Sequence, residues 1–306
     1  MKSECRSASR RALVVALPLL AIVGAFTYLG LTRDVASAQK SQAPATNLEN
    51  FDAKNFDRST QVVNEWMPLK PGTRFSYDGN TVEDDGTVVP HRVVINVTDL
   101  TKVIGGVRSV ATWDLDYSDG ELVEAELAFF AQDKDGNVWR MGEYPEEYEN
   151  GKFLAASPWI HGFEDARAGI MMKAKPQPGT PSYSQGWGPA VNWTDRGKVD
   201  QVGQKTSVRA GKYDDVLVIA ETSAAEQDAE QLKYYARGVG NVRVGWRGAG
   251  EKTKETLELT KGETLDAKAM AEVRASAMKM EKAAYQRSKN VYARTPPLEP
   301  MPAASK

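Results

Sequence analysis

Between residues 73 and 260 the chain is a succession of short runs rich in β-branched and aromatic residues, punctuated by glycine and aspartate, and none carries a helical period long enough to supply a crossover. Strands are expected near 73–78, 91–98, 107–117, 121–132, 136–143, 198–207, 213–221, 230–236, 240–247 and 254–260. The turns 105-GG-106, 118-SDG-120, 135-DG-136 and 238-GVG-240 fall between them at hairpin spacing. Consecutive strands without crossovers pair as antiparallel neighbours. The expected fold is therefore mainly β: a curved antiparallel meander, half-barrel or barrel-like, with a C-terminal α-helix, because a flat sheet this wide would expose its edges. A β-sandwich is the alternative. In 121–132, Val123, Ala125, Leu127, Phe129 and Ala131 share one face and Glu124, Glu126 and Gln132 lie on the other with Leu122 and Phe130, so one face is expected in a core and the other partly wet.

Two segments break the pattern. Residues 165–197 are rich in Gly and Pro and too long for an ordinary connection, which predicts a loop that covers or binds something. Residues 265–293 read as one helix, with Met270, Val273, Ala277, Met280, Ala284 and Val291 at alternating steps of three and four, missing only at Arg287. It ends before the Pro-rich 295-TPPLEPMP-302, expected to be extended.

The N-terminus has the layout of an export signal. Lys2, Arg6, Arg10 and Arg11 precede the uncharged apolar run 12–31, and 36-ASA-38 offers an A-x-A cleavage site. The run reaches the ~20 residues that span a bilayer, so release after Ala38 and retention as a membrane anchor through 12–31 are both open. Either outcome places residue 39 onward outside the cytoplasm. Arg10-Arg11 is also a loose twin-arginine pattern. The organisation expected is thus 1–38 signal peptide or anchor, 39–60 linker, 61–262 β domain, 263–294 amphipathic helix and 295–306 tail.

The only cysteine is Cys5, ahead of the apolar run, so the exported part can use neither disulfides nor thiol catalysis. Beyond residue 38 the net charge is −5, made of −9 over residues 39–265 and +4 over 266–294. An acidic body with a basic helix argues against nucleic acid as its partner.

Asp133, Asp135 and Asn137 alternate like the first ligands of a calcium loop, but Val138 and Tyr144 stand where such a loop needs Gly and a bidentate Glu. A hairpin turn accounts for them, and no metal or other cofactor is expected. The cluster 114–124 fails the same test. His91 and His161 have no ligand or base spacing, and the paired carboxylates Glu143, Glu146, Glu147, Glu149, Asp214 and Asp215 read as solvated surface residues. No nucleotide, hydrolase-elbow or Walker motif is present, so no catalytic residue is assigned. Candidate ligand-binding residues are aromatic: Tyr183, Trp187 and Trp193 in the long loop, and Trp113, Phe129 and Trp139 on the sheet. The competing reading of the loop rings is a plug at one end of the sheet. Two Asn-x-Thr sequons occur, at Asn96 and Asn192.

The blocks 68-PLKPGTRFSY-77, 118-SDGELVEAELAFFAQDKDGNVWRMGEYPEEYENG-151 and 233-KYYARGVGNV-242, in that order, resemble a family of exported bacterial β-rich envelope proteins of no known activity. The likeness covers roughly residues 62–260 and implies no catalytic residue. More loosely, the PLKPGT opening and the YYA-x-GVG hairpin are similar to envelope proteins that curve a sheet around apolar ligands. The expected function is a non-enzymatic envelope protein binding an apolar or amphipathic molecule. The alternatives are a scaffold that docks a protein partner through 263–302, and a carboxylate-dependent hydrolase of envelope carbohydrate.

Overall fold

A computed structural model of the chain describes residues 47–83 and 85–302. The apolar run 12–31 and the cleavage region near Ala38 lie outside the described residues, and among these no helix is long and apolar enough to cross a membrane. The strands are β1 (Thr73–Val82), β2 (Val88–Ile104), β3 (Val107–Ser118), β4 (Glu121–Gln132), β5 (Val138–Glu149), β6 (Lys152–Ala155), β7 (Trp159–Ile160), β8 (Arg167–Met172), β9 (Tyr183–Ser184), β10 (Gly186–Trp187), β11 (Arg196–Val208), β12 (Gly211–Ser223), β13 (Glu226–Ala236), β14 (Gly240–Arg247), β15 (Thr256–Thr264) and β16 (Glu299–Pro300), with one α-helix, α1 (Ala267–Arg287). All ten strands expected from the sequence are present, most of them longer at one or both ends.

They form one antiparallel sheet in the order β10-β8-β5-β4-β3-β2-β1-β15-β14-β13-β12-β11-β9, a meander whose first and second halves meet where β1 pairs with β15. The ladder is not closed into a barrel. Its two ends are nevertheless tied, because β10 pairs with β8, β9 pairs with β11, and only Gln185 separates β9 from β10. The sheet wraps far enough for its inner faces to touch: Val97, Val110 and Phe130 share one core with Leu217, Ile219 and Tyr235. The joint needs glycine, since a Cβ on Gly169 would stand 2.1 Å from the backbone nitrogen of Gly186.

This corrects the reading of 165–197 as one loop. Three short strands lie in it, and they join the two ends of the sheet. β9 and β10, of two residues each, carry no period, and the six residues of β8 are almost all buried, so they do not alternate.

The outer face of β2–β5 is covered by α1 and the N-terminal segment. Asp266 caps α1, its carboxylate accepting from the Ala269 N–H at 2.8 Å. Val273, Ala277, Met280 and Ala284 are buried, and Ala277, Met280 and Ala284 pack with Leu127 and Phe129. The tail continues the cover: Leu298 is buried and β16 pairs with β2. Residues 47–60, expected as a linker, lie against the sheet, with Phe51 and Phe56 edge-on to Trp139 at ring distances of 5.7 and 5.9 Å.

The helix is fixed by a buried ion pair. Lys102 of β2, with no solvent access, donates to Glu281 of α1 at 2.8 Å and to the Pro296 carbonyl at 2.6 Å, and stands 4.2 Å from the Tyr292 ring centre. Glu281 also accepts from the Leu298 N–H at 2.9 Å and from the Tyr292 hydroxyl at 3.2 Å, so one carboxylate holds helix, turn and tail together. Lys102→Met leaves that carboxylate buried without its cation, an expected loss of about 3–5 kcal/mol in urea unfolding. Glu281→Gln in the Lys102→Met background is expected to recover part of this, since two neutral groups no longer bury a charge.

Candidate functional site

Alternation along β2–β5 decides which side chains enter the enclosed space. On the inner face, His91, Val93, Ile95 and Val97 of β2 are followed by Asp116, Asp114 and Thr112 of β3 and by Glu124, Glu126, Ala128 and Phe130 of β4. The polar face of β4 is therefore not wet, as expected from the sequence, but buried: Glu124 and Glu126 are each 2% exposed. Its outer face is equally dry under α1. Glu143 and Glu146, read as solvated, are buried too.

The register places carboxyl against carboxyl, Asp114 directly opposite Glu126 and Asp116 opposite Glu124. Two ionised groups so placed repel. Relief comes from Arg140 of β5, fully buried, which pairs with both Glu126 and Glu143 and lies 4.8 Å from the Trp193 ring centre. In a regular strand residues three apart face opposite ways, so Arg140 and Glu143 could not meet. They do because β5 bulges against Phe129–Phe130, with Gly142 at φ 144°. The strand β7 passes so close that a Cβ there would lie 2.5 Å from the Trp159 carbonyl oxygen.

Two further cations enter from other strands. His91 is held between Asp116, 2.7 Å from Nε2, and Glu255, 3.0 Å from Nδ1. Lys233 of β13 pairs with Glu221 of β12 at 2.8 Å, and Glu221 also accepts from Gln185 at 2.7 Å. Among the described residues the inner face thus buries Asp114, Asp116, Glu124, Glu126, Glu143, Asp195 and Glu221 against Arg140, Lys233 and His91.

Protons make up the difference. Burial first, then the charge of Glu126, raises Asp114 well above the usual carboxylate range. Glu124 is raised by burial first and then by the neighbouring carboxylates Glu126, Asp116, Glu143 and Glu147. Glu143 is raised by burial, which outweighs Arg140. Burial lifts Asp116 to about 6 despite His91, and Asp195 to about 7. For His91 burial acts downward, but the hydrogen bonds to Asp116 and Glu255 prevail and raise it to about 10, so it is an imidazolium at neutral pH. Asp114 Oδ1 and Asp116 Oδ2 have no hydrogen-bond partner among the described residues.

Beside this cluster lies a cavity of about 90 Å³ between β1–β2 and β13–β15. Its walls include Leu69, Phe75, Tyr77, Val93, Ile95, Tyr235, Val244 and Leu257, with Lys233 and Glu255 as its charged residues. The half-buried Met67, Pro68 and Val239 belong to the segment before β1 and to the β13–β14 turn. These two stretches are tied where the Gly238 N–H donates to the Glu65 carbonyl at 2.7 Å and where Arg237 pairs with Glu65. The blocks 68–77 and 233–242, far apart in the chain, are thus opposite walls of one cavity.

The six aromatic candidates do not meet at one place. Tyr183 and Trp193 are buried, and Trp193 stacks on Trp159 at 5.6 Å; Trp187 is half-buried on β10. Phe129 lies under α1, Trp139 against Phe51 and Phe56, and Trp113 in an outer groove. Asp133 accepts from the Asn137 N–H at 2.8 Å and the Trp139 indole at 2.8 Å, Asp135 accepts from Asn55, and the Asn137 side-chain oxygen accepts from the Ala174 N–H. Their oxygens serve the turn, and among the described residues no His, Cys, Asp and Glu cluster has metal-binding geometry. His161 Nδ1 accepts from the Ala168 N–H at 3.1 Å. The sequon at Asn96 is buried, while that at Asn192 is exposed.

A carboxyl raised on folding costs nothing while protonated in both states and loses stability as pH rises from the unfolded pKa near 4 towards the folded one, about 6 for Asp116 and about 7 for Asp195. His91 adds stability that is complete below about 6.5 and fades as pH rises to about 10. His161, lowered by burial, acts oppositely below its unfolded value. Differential scanning calorimetry is expected to show a lower Tm at pH 8.5 than at pH 5.5. Glu124→Gln, which needs no proton to be buried, should raise the pH 8.5 Tm by roughly 2–4 °C, the shift ~1 kcal/mol gives a domain of this size.

No family model and no curated protein matches the chain. Two solved structures are similar to parts of it. One, from Bacteroides fragilis NCTC 9343, is described as an exported protein with a YmcC-like fold; it is 12% identical, with a TM-score of 0.38, over 65% of this chain and 99% of that one. The other, from Parabacteroides distasonis ATCC 8503, is described as a lipoprotein; it is 13% identical, with a TM-score of 0.32, over 66% of this chain and 100% of that one.

Proposed function

We propose that this chain is an exported envelope protein that holds the apolar part of an amphipathic molecule in the cavity between β1–β2 and β13–β15. The export half of the reading rests on the basic flank, the apolar run 12–31 and the A-x-A site at 36–38. The binding half rests on one observation: a cavity of about 90 Å³ with predominantly apolar walls and two charged side chains, Lys233 and Glu255. It is smaller than the roughly 150 Å³ that accepts benzene, which limits the enclosed part to a few methylene groups or one branched end. The remainder of the ligand extends past Met67, Pro68 and Val239.

Lys233 and Glu255 are both engaged, with Glu221 and with His91, so a ligand head receives hydrogen bonds there and no uncompensated charge. A strongly ionic head is disfavoured for that reason.

Native mass spectrometry of the full chain, isolated from its own envelope, tests this. The expected result is an added mass that is lost on denaturation. Val239→Trp, a large ring on a half-buried turn, should fold with unchanged Tm and lose the added mass. An apo mass for the wild type, or a bound mass unaffected by Val239→Trp, overturns the assignment to this cavity.

A further inference from the structure

The geometry points to a second binding site on the opposite face of the same strands, one for an anionic group carried on a ring whose face can stack on aromatic side chains, either a sugar acid or an aryl phosphate or carboxylate. A groove of about 570 Å³ runs between the outer face of β1–β3 and the first half of α1. Its floor is Val94, Leu115, Trp113 and Tyr117, its rims Arg74 and Arg92 on the sheet and Glu272 and Ser276 on the helix. None of these residues takes part in the interior cavity.

Arg74 is the reason to read the groove as a receptor. Its Nε donates to Asn96 Oδ1 at 2.7 Å, and Asn96, fully buried, is itself fixed by donating to the Trp113 carbonyl at 2.8 Å. A buried amide is thus spent on orienting a guanidinium, and no carboxylate among the described residues pairs with that guanidinium. Its two terminal nitrogens, which form the fork that grips carboxylate or phosphate, make no hydrogen bond to described residues. An arginine left free for solvent needs no such support, whereas one held at a fixed angle is preorganised for an anion.

The other parts agree in chemistry. Arg92 lies two strand positions from Val94 on the same face and touches Asp78 only at 3.4 Å, with more than half its side chain exposed. Arg92 stands opposite Tyr117 in the β2–β3 ladder, and Arg74, Arg92 and Tyr117 line the same groove; the charges of Arg92 and Arg74 accordingly act on the Tyr117 phenol against the rise that burial imposes. Half-buried Trp113 and Tyr117 supply ring faces, and such faces stack on sugars and aryl groups. The helix contributes Ser276 and Glu272, hydrogen-bonding groups suited to ring hydroxyls, and Glu272 disfavours a ligand carrying several negative charges along its length.

Isothermal titration of the full chain in a non-ionic detergent, with phenyl phosphate, glucuronate and inorganic phosphate as separate probes, decides the matter. Phenyl phosphate or glucuronate is expected to bind at least about tenfold more tightly than inorganic phosphate, and whichever does so identifies the ring as aryl or sugar. Arg74→Met should weaken the ring probe by about tenfold or more, the loss of one charge-assisted contact. Arg74→Lys keeps the charge without the fork and should fall between the two. Trp113→Leu should weaken the ring probe and leave inorganic phosphate unchanged. The Tm of each variant separates loss of binding from loss of fold. The inference is overturned if neither ring probe binds, if inorganic phosphate binds as tightly as they do, or if folded Arg74→Met and Arg74→Lys both bind like the wild type.

Discussion

Arg140 has no solvent access and stands between Glu126 and Glu143, and the interior of the sheet is organised around that fact. A buried guanidinium cannot be deprotonated, so it requires carboxylates close by, and β4 and β5 supply them. Asp116 is matched by His91, but once Asp114 and Glu124 also face inward, cations no longer suffice, and these two carboxyls are accommodated as neutral acids. The opposite half of the sheet faces the same space, where Lys233 pairs with Glu221 and acts on Asp195, and Asp195 in turn acts on Arg140. The open sheet is therefore held not only by its ladder but by charges that link its halves, such as His91 and Glu255, and the short strands β9 and β10 matter because they tie its two ends.

The outer face repeats the device with a single ion pair. There one lysine, Lys102, is buried, and one carboxylate, Glu281, reaches it from α1 while also accepting from the tail. The soft stripe of Val, Ala and Met on α1 would bind any apolar surface. The buried pair confines it to one register over β2, in which the tail can then add as β16. Packing supplies the attraction and the ion pair supplies the choice of position, at a desolvation cost that leaves little net stability.

The strands were legible because each carries its own period of two, whatever lies on either side. Which face is wet was not legible. Alternation in β4 looks the same whether Glu124 and Glu126 meet water or the other half of the sheet, and only wrapping decides it. Folding the chain about 118-SDG-120 does set 114-DLD-116 against 124-EAE-126, like charge against like, a repulsion that calls for a nearby cation or for protons wherever the face lies. Gly142 was a signal, since a glycine inside a strand of large residues marks a bulge or a close approach, and here it is both. The cavity was beyond reach, because its walls come from the segment before β1 and from β13–β15. Trp113 was picked out for its ring, but its neighbours Arg74 and Arg92 became visible only through register.

Period two also ties the two proposed sites together. In β1 the residues Phe75 and Tyr77 enter the cavity while Arg74 enters the groove; in β2 Val93 and Ile95 face inward while Arg92, Val94 and Asn96 face outward. One pair of strands is thus the common wall of both, with successive side chains serving opposite faces. A ligand that shifts the backbone of β1 or β2 from one side must move the groups that line the other, because a strand has no slack between neighbouring residues. Side chains, by contrast, can be exchanged on one face without entering the other. The two sites are therefore separable by substitution and coupled by displacement, since the β1–β2 ladder that forms the shared wall runs without a register shift from Arg74 to Val82.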